Sequence, residues 1–486
     1  MIRIQPDRKA LDLNRVSQHM IDRTANIVAE SEIESRISIF PFDNQSAITG
    51  PLIFILYTMD NTSKLAFAIY SIVGLAILIR TNKLVPLPYM DEIFHVGQVQ
   101  AYCRGDYFSY DPKLTTPPGL YIVSLVFVKV SQFLGLTDTN GCSVKALRTY
   151  NYILSLALFF VLHSLISTLN KNKSHAWKAL TTITLMFFPV SFFFNQLYYT
   201  EVASLLSVLL GYKFALDKKY WLSSFIFLIS LSMRQTNVIY AAMVMGYSVL
   251  QELNTLSSPT NQAIINQPAY STRTLDSFLT QFKVVLIATL SNLPNLLITL
   301  SGYLVVFSSF AYFLYSNGGI VLGDKSNHVA TLHFPQMYYL IMFLAGMCFP
   351  AISHIVDPIY FFRKNFLRIE HPFILSDNRH FSFYIWKDVY RRHYLIRYIL
   401  VPVYFYAGWL CWRSLAITLI PSPLLEFRYF IMPYYFYRLH IEQPGKSRTL
   451  TELVWNLVIN LGVYYLFFNK PFIWPQNPNE IMRFMW

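Results

Sequence analysis

Two carboxylates stand side by side at Asp91 and Glu92, in the stretch PYMDEIFHVGQVQAYCRGDYFSYDPKLTTPPGLY that follows an apolar run. A carboxylate at a membrane surface can take a proton from a sugar hydroxyl while a second substrate arrives from the lipid, provided it lies within hydrogen-bond reach of the nucleophile. One such base suffices for a single displacement with inversion. A retaining route asks for a second carboxylate as nucleophile. The spacing predicts a short helix from Met90 to Tyr102, on which Asp91 and His95 share a face. The plainer reading is that charges just outside a span are solvated anchors, and an Asp-Glu pair is a weak motif by itself.

Other groups recur at the ends of apolar runs. FFFNQLYYTE places Tyr199 and Glu201 at a surface, as substrate contacts or as an aromatic belt with one exposed acid. SMRQTN places Arg234 and Gln235 at a membrane edge, where an arginine either snorkels or pairs with a phosphate through its planar guanidinium. GDKSNH offers Asp324, Lys325 and His328 for a phosphate or a sugar, or forms an ordinary solvated turn. Arg428 sits in LEFRYFIMPYYFYRLH, a mixture of aromatic and basic residues more typical of a membrane interface than of a binding site. HExxH, GxSxG, GxGxxG and P-loop spacings are absent, as is any metal-ligand spacing.

The elements that must position these groups are membrane helices. The 486 residues are 54% hydrophobic and 17% aromatic but only 13% charged, against roughly 25% charged in an ordinary soluble domain. This excludes disordered, collagen-like and disulfide-stapled secreted classes. The net charge of +13 does not point to nucleic acid, because most Lys and Arg cluster between apolar runs as cytosolic loop charges do. Candidate spans fall at about 65–80, 149–168, 180–195, 202–216, 220–234, 236–250, 297–316, 337–356, 396–418, 424–438 and 451–468. We expect 11 to 13 spans in an all-α polytopic protein. Residues 1–48 read as a polar cytosolic extension, partly disordered, ahead of a transmembrane domain from 49 to 486. Residues 251–282, rich in Ser, Thr, Asn and Gln, read as a cytosolic linker, and 283–295 as an interfacial helix.

The apolar run 119–136 decides the topology. If it crossed, Lys171, Lys173 and Lys178 would face the lumen; if it lies in the interface, those lysines and Lys213, Lys218 and Lys219 fall in the cytosol. The positive-inside rule favours the in-plane helix. Residues 81–148 are then a large first lumenal loop, with Asn195–Glu201 and Met233–Asn237 on the same side. Cys103 and Cys142 can pair there if both face an oxidising lumen, whereas Cys348 and Cys411 read as packing residues.

Taken together, the Asp91 stretch, RTYNYILSL, FFFNQLYYTEVASL, MRQTNV, NGGIVLGDKSNHVATLHFPQ, DNRHFSFYIW, LEFRYFIMPYYFYRL and RFMW resemble the terminal α-1,2-glucosyltransferases of N-glycan precursor assembly, in order from about residue 66 to 486. The resemblance implies a GT-C membrane fold in the endoplasmic reticulum with a lumenal active site. It implies dolichyl-phosphate glucose as donor and a lipid-linked oligosaccharide bearing two terminal glucoses as acceptor. It implies Asp91 as general base, with Glu92 as the alternative base or as an acceptor contact. Arg234, Lys325 or Arg428 would neutralise the leaving phosphate. GT-C enzymes differ in metal need; no organic cofactor is implied, and the residues show no convincing metal cage. Rival readings are a dolichol-linked mannosyltransferase of the same fold, a transporter or channel, and a non-catalytic membrane regulator.

Overall fold

Helix α1 (Asn61–Leu84) has 24 residues, about 36 Å at 1.5 Å per residue, enough to cross a ~30 Å hydrocarbon core. Its outward side chains are large and apolar: Leu65, Ile72 and Ile79 are exposed. The inward row Ser63, Ala66, Tyr70, Gly74, Leu78 and Thr81 is buried. Lipid offers no gain for hiding leucine, so small and polar residues turn inward, where they let helices approach. At Gly74 an added Cβ would fall 2.8 Å from the Tyr152 ring, so glycine admits the close crossing of α1 and its neighbour.

The computed structural model describes residues 59–135, 141–266, 275–323, 426–441, 443–474 and 477–486, with most of 340–352. The expectations for residues 1–48, for the span at 396–418 and for Cys411 lie outside them. After α1 come two short helices, α2 (Glu92–Cys103) and α3 (Gly119–Phe133), then the 26-residue α4 (Val144–Leu169). The chain continues through α5 (His175–Met186), α6 (Pro189–Phe194), α7 (Glu201–Leu216) and α8 (Tyr220–Met233). A 3-10 turn, Gln235–Asn237, leads into α9 (Val238–Leu256), followed by α10 (Pro259–Ile265), α11 (Leu275–Ser291), α12 (Leu293–Thr299), α13 (Ser301–Asn317) and the one-turn α14 (Phe349–Ile352). A 3-10 segment, Phe427–Phe430, opens α15 (Ile431–His440), and α16 (Lys446–Asn469) is the last helix. Strands β1 (Phe472–Trp474) and β2 (Asn477–Met482) close an antiparallel hairpin with Phe472 opposite Met482. Helical, multi-pass architecture is therefore observed, with this small hairpin as its departure. Among the described residues, α1, α4 and α16 are each long and apolar enough to span.

Several elements differ from the sequence reading. The run 180–195 is not one span: the helix stops at Met186 and restarts at Pro189. Proline lacks the N–H that would bind Leu185 O. The carbonyls freed at the break find other donors: Asn456 Nδ2 donates to Thr184 O (3.1 Å) and Asn460 Nδ2 to Phe187 O (2.8 Å), while Leu185 O accepts from both the Phe188 N–H (3.0 Å) and the Tyr435 hydroxyl (2.9 Å). Broken backbone at membrane depth is tolerated where protein supplies such partners. The run 424–438 yields only the ten-residue α15, too short to cross alone. Residues 283–295 are not a plain interfacial helix. Leu279–Ser291 bends by 76° into Leu293–Thr299, and the pair together has the length and hydropathy of a span. Asn292 Nδ2 bonding back to Ala288 O, with Pro294 just beyond, accounts for the bend. Much of 251–282, read as a linker, is helical in α9, α10 and the start of α11.

Between α1 and α4, the 15-residue α3 is about 22 Å long and lies against α2 and α8. At its first residue, Gly119, a Cβ would sit 2.3 Å from Ser232 Oγ, so the start of α3 is pressed onto the end of α8. The Tyr198 hydroxyl donates to Ser124 Oγ from the other side (2.7 Å). Cys103, at the end of α2, and Cys142 form a disulfide.

Candidate active site

Asp91 and Glu92 open α2 and part company at once. Consecutive helical residues point about 100° apart, so one turns inward while its neighbour faces out. Glu92 is fully buried against Arg148 of α4, itself fully buried. Arg148 Nε donates to Glu92 Oε1 (2.8 Å) and Nη2 to Oε2 (2.6 Å), in a bidentate pair. The Tyr89 and Tyr198 N–H groups donate to the same carboxylate (2.9 and 2.7 Å). Arg148 spends its remaining N–H groups on Val85 O, Leu87 O and Asn82 Oδ1. Three residues along α4, Asn151 Nδ2 donates to Leu197 O (2.7 Å) and Tyr199 O (2.8 Å). Glu92, Arg148 and Asn151 thus clamp the Leu197–Tyr199 turn to the start of α2.

Asp91 is the exposed member, its side chain 42% accessible. It follows Met90, whose φ of 56° lies in the left-handed region that non-glycine residues avoid. Tyr199 Oη accepts the Asp91 N–H (3.1 Å). Arg428 Nη2 reaches Asp91 Oδ2 at 2.7 Å. The same guanidinium pairs with Glu426 and stands 3.9 Å from Glu201 Oε1. Arg234 Nη1 donates to Glu201 Oε1 at 2.9 Å. Two guanidinium groups therefore converge on one buried carboxylate beside Asp91. They also lie over aromatic faces: Arg428 over Tyr199 and Tyr429, Arg234 over Tyr429, each at 5.6 Å. Glu201 Oε2 is buried with no hydrogen-bond partner among the described residues, and so is Gln235 Oε1. Gln235 Nε2 donates to Thr115 O (2.8 Å), tying the turn after α8 to the loop before α3.

His95, one turn after Asp91, points into the protein, where Nδ1 and the Tyr121 hydroxyl are 2.8 Å apart. Burial pushes its imidazole down to about 4 against the opposing pull of Glu201 and Asp91, so it is neutral near pH 7. Burial likewise raises the Tyr199 phenol, which stays protonated.

The profile of the DIE2/ALG10 family matches residues 85–439, a stretch that begins just before Asp91 and includes every basic side chain around it. The chain belongs to the DIE2/ALG10 family. Curated relatives extend the match. A mouse protein named Dol-P-Glc:Glc(2)Man(9)GlcNAc(2)-PP-Dol alpha-1,2-glucosyltransferase is 37% identical over 442 residues, covering 82% of this chain and 93% of its own. A human protein of the same name is 36% identical, with the same coverage. An Arabidopsis thaliana protein of that name is 31% identical over 504 residues, covering 86% of this chain and 99% of its own.

In this DIE2/ALG10 family member, the structure gathers Asp91, Tyr199, Glu201, Arg234 and Arg428 around one point, with His95 behind them. Gln235 adjoins through its neighbour Arg234. Glu92 is drawn away from that point into the buried pair with Arg148. Asp324, Lys325 and His328 lie outside the described residues. Among the described residues, no three His, Cys, Asp or Glu side chains are arranged to hold a metal ion. Arg148 and Asn151, in RTYNYILSL, had no role in the sequence reading. Their signal was an arginine and an asparagine three apart at the head of an apolar span, one helical face carrying two polar groups. Glu426 and Tyr429, flanking Arg428, were passed over as well.

Proposed function

We propose that this protein transfers glucose from dolichyl-phosphate glucose to the terminal glucose of a diglucosylated lipid-linked oligosaccharide, forming an α-1,2 linkage by a single inverting displacement. Family membership supports the reaction class, and relatives bearing that name are covered over 93% or more of their length. The observation that carries the residue assignment is the accessible Asp91 carboxylate at the head of α2, 2.7 Å from Arg428, with Arg234 beside it on Glu201.

In this reading Asp91 accepts the proton of the acceptor's 2-hydroxyl while that oxygen attacks the anomeric carbon of the donor. The bond from that carbon to the phosphate oxygen breaks on the opposite face. Dolichyl phosphate leaves with the electron pair, so a β-linked donor yields an α-linked product. Arg428 and Arg234 neutralise the leaving phosphate, the charge-assisted contact guanidinium groups make best. Glu92 already accepts four hydrogen bonds in a fully buried site, which supports a scaffold role and leaves the base role to Asp91. The unpartnered Glu201 Oε2 and Gln235 Oε1 are the acceptors we assign to sugar hydroxyls.

The active site faces the lumen of the endoplasmic reticulum in this account. Lys171, Lys173 and Lys178 follow the end of α4 remote from Arg148, and Lys218 and Lys219 follow the end of α7 remote from Glu201. Putting those lysines in the cytosol puts Asp91 in the lumen. The Cys103–Cys142 disulfide, on the Asp91 side, suits an oxidising compartment.

The test offers purified protein synthetic dolichyl-phosphate glucose and dolichyl-phosphate mannose in turn, with a diglucosylated acceptor. Transfer of glucose alone, into an α-1,2 linkage read by NMR, is expected. Mannose transfer would replace the substrate, and ion flux in proteoliposomes without sugar transfer would replace the function class.

A further inference from the structure

Segment Arg483–Trp486 lies beside the proposed site and has no part in the chemistry above. The Arg483 N–H donates to Tyr89 Oη (2.7 Å), and the Tyr89 hydroxyl donates back to Arg483 O (2.6 Å). Arg483 is 9% exposed. Its Nη1 donates to Phe467 O (2.7 Å) and Phe468 O (3.3 Å), at the end of α16, and its Nη2 to Leu84 O (3.3 Å), the last residue of α1. One guanidinium thus joins the ends of the first and last long helices. Three residues on, the Trp486 indole meets Phe427 edge to face, with centroids 5.5 Å apart.

Tyr89 and Phe427 are the residues that matter here. Tyr89 stands two residues before Asp91, and Phe427 one residue before Arg428. Between Tyr89 and Asp91 lies Met90, held at φ 56°, a strained conformation for a non-glycine residue that persists only where neighbours fix the chain. Tyr89 is fixed at its N–H by Glu92 and at its hydroxyl by Arg483. We propose that Arg483–Trp486 is a positioning strap: the main chain of Arg483 grips Tyr89, the Trp486 ring buttresses Phe427, and together they set the separation of Asp91 and Arg428. These are positioning residues, acting through Asp91 and Arg428 rather than on substrate.

The inference rests on Asp91 and Arg428 being the base and a phosphate ligand. We assign the strap no substrate contact, so loosening it lowers kcat and leaves both KM values nearly unchanged. A misplacement of about 1 Å is enough to cost up to a hundredfold in rate. The experiment uses full-length protein in lipid nanodiscs with synthetic donor and acceptor, and compares Tyr89→Phe, Trp486→Ala and Trp486→Phe with wild type. Expected are a kcat about tenfold lower for Tyr89→Phe and Trp486→Ala, KM values within twofold, and recovery to within threefold in Trp486→Phe, all per folded molecule. A kcat per folded molecule equal to wild type in Tyr89→Phe and Trp486→Ala overturns the strap. So does a loss that appears in KM alone. If Tyr89→Phe does not fold, the Trp486 pair decides by the same criteria. Asp91→Asn runs alongside: full activity there removes the base assignment, whereas an inactive Asp91→Asn beside a fully active Tyr89→Phe removes only the strap.

Discussion

Replacing Glu92 by glutamine changes one atom and tests how this site is built. The carboxylate accepts two hydrogen bonds from Arg148 and one each from the Tyr89 and Tyr198 N–H groups, with both charged side chains fully buried. The amide of Glu92→Gln offers one oxygen to those donors and turns its NH2 against the others. Arg148 is left charged in the interior with Val85 O, Leu87 O, Asn82 Oδ1 and at best one amide oxygen as partners, and no counter-charge. Breaking a buried pair in this way typically costs about 3–5 kcal/mol, whereas removing both charges costs less. We therefore expect Glu92→Gln to be strongly destabilised in denaturant unfolding in bicelles. The double variant Glu92→Gln/Arg148→Met should recover a large part, with a coupling energy of about 1–3 kcal/mol in the cycle. Turnover falls too, because the Tyr198 N–H loses its anchor and Tyr199 with it. A Glu92→Gln protein of wild-type stability with lost turnover would refute the scaffold assignment and make Glu92 a chemical group.

Other consequences are as specific. Arg428→Lys keeps the charge but loses the planar fork that spans Asp91, Glu426 and Glu201, so kcat should fall at least tenfold and donor KM rise; a variant with wild-type kinetics would remove Arg428 from phosphate binding. His95 is held near 4, below its ordinary 6.5, so the fold favours the neutral ring. Its contribution is present above pH 6.5 and is lost as the pH falls toward 4, by about 3 kcal/mol at most. His95→Asn should flatten the fall in stability between pH 6.5 and 4, and an unchanged slope would contradict this. Asn460→Leu leaves Phe187 O without its donor at the helix break and should lower stability by about 1–3 kcal/mol in the same unfolding assay.

Much of the candidate site was legible because its residues stand at the ends of apolar runs. The short loop helices, the apolar run of α3 and the polar residues Tyr199, Glu201, Arg234 and Arg428 could be read from that placement and from the resemblance. Choosing between Asp91 and Glu92 could not. Neighbouring helical residues diverge by about 100°, and only the packing of α4 decides which one faces inward. Arg148 drew no notice because its partner lies 56 positions away. The break before Pro189 was hidden in a continuous apolar run, since its support comes from Tyr435, Asn456 and Asn460 on distant helices. The reach of Arg483 back to Leu84 spans 399 positions, and no local pattern announces it.

Single-turnover glucose transfer by Asp91→Asn isolates the removal of the acceptor proton by Asp91. The side chain is partly exposed and asparagine is nearly isosteric, so the variant should fold, unfold at the wild-type denaturant midpoint and bind both lipid-linked substrates. Glucose transfer by this variant should be slower by roughly a hundredfold or more, with substrate affinities little changed. A folded Asp91→Asn enzyme that transfers glucose at near the wild-type rate would contradict it.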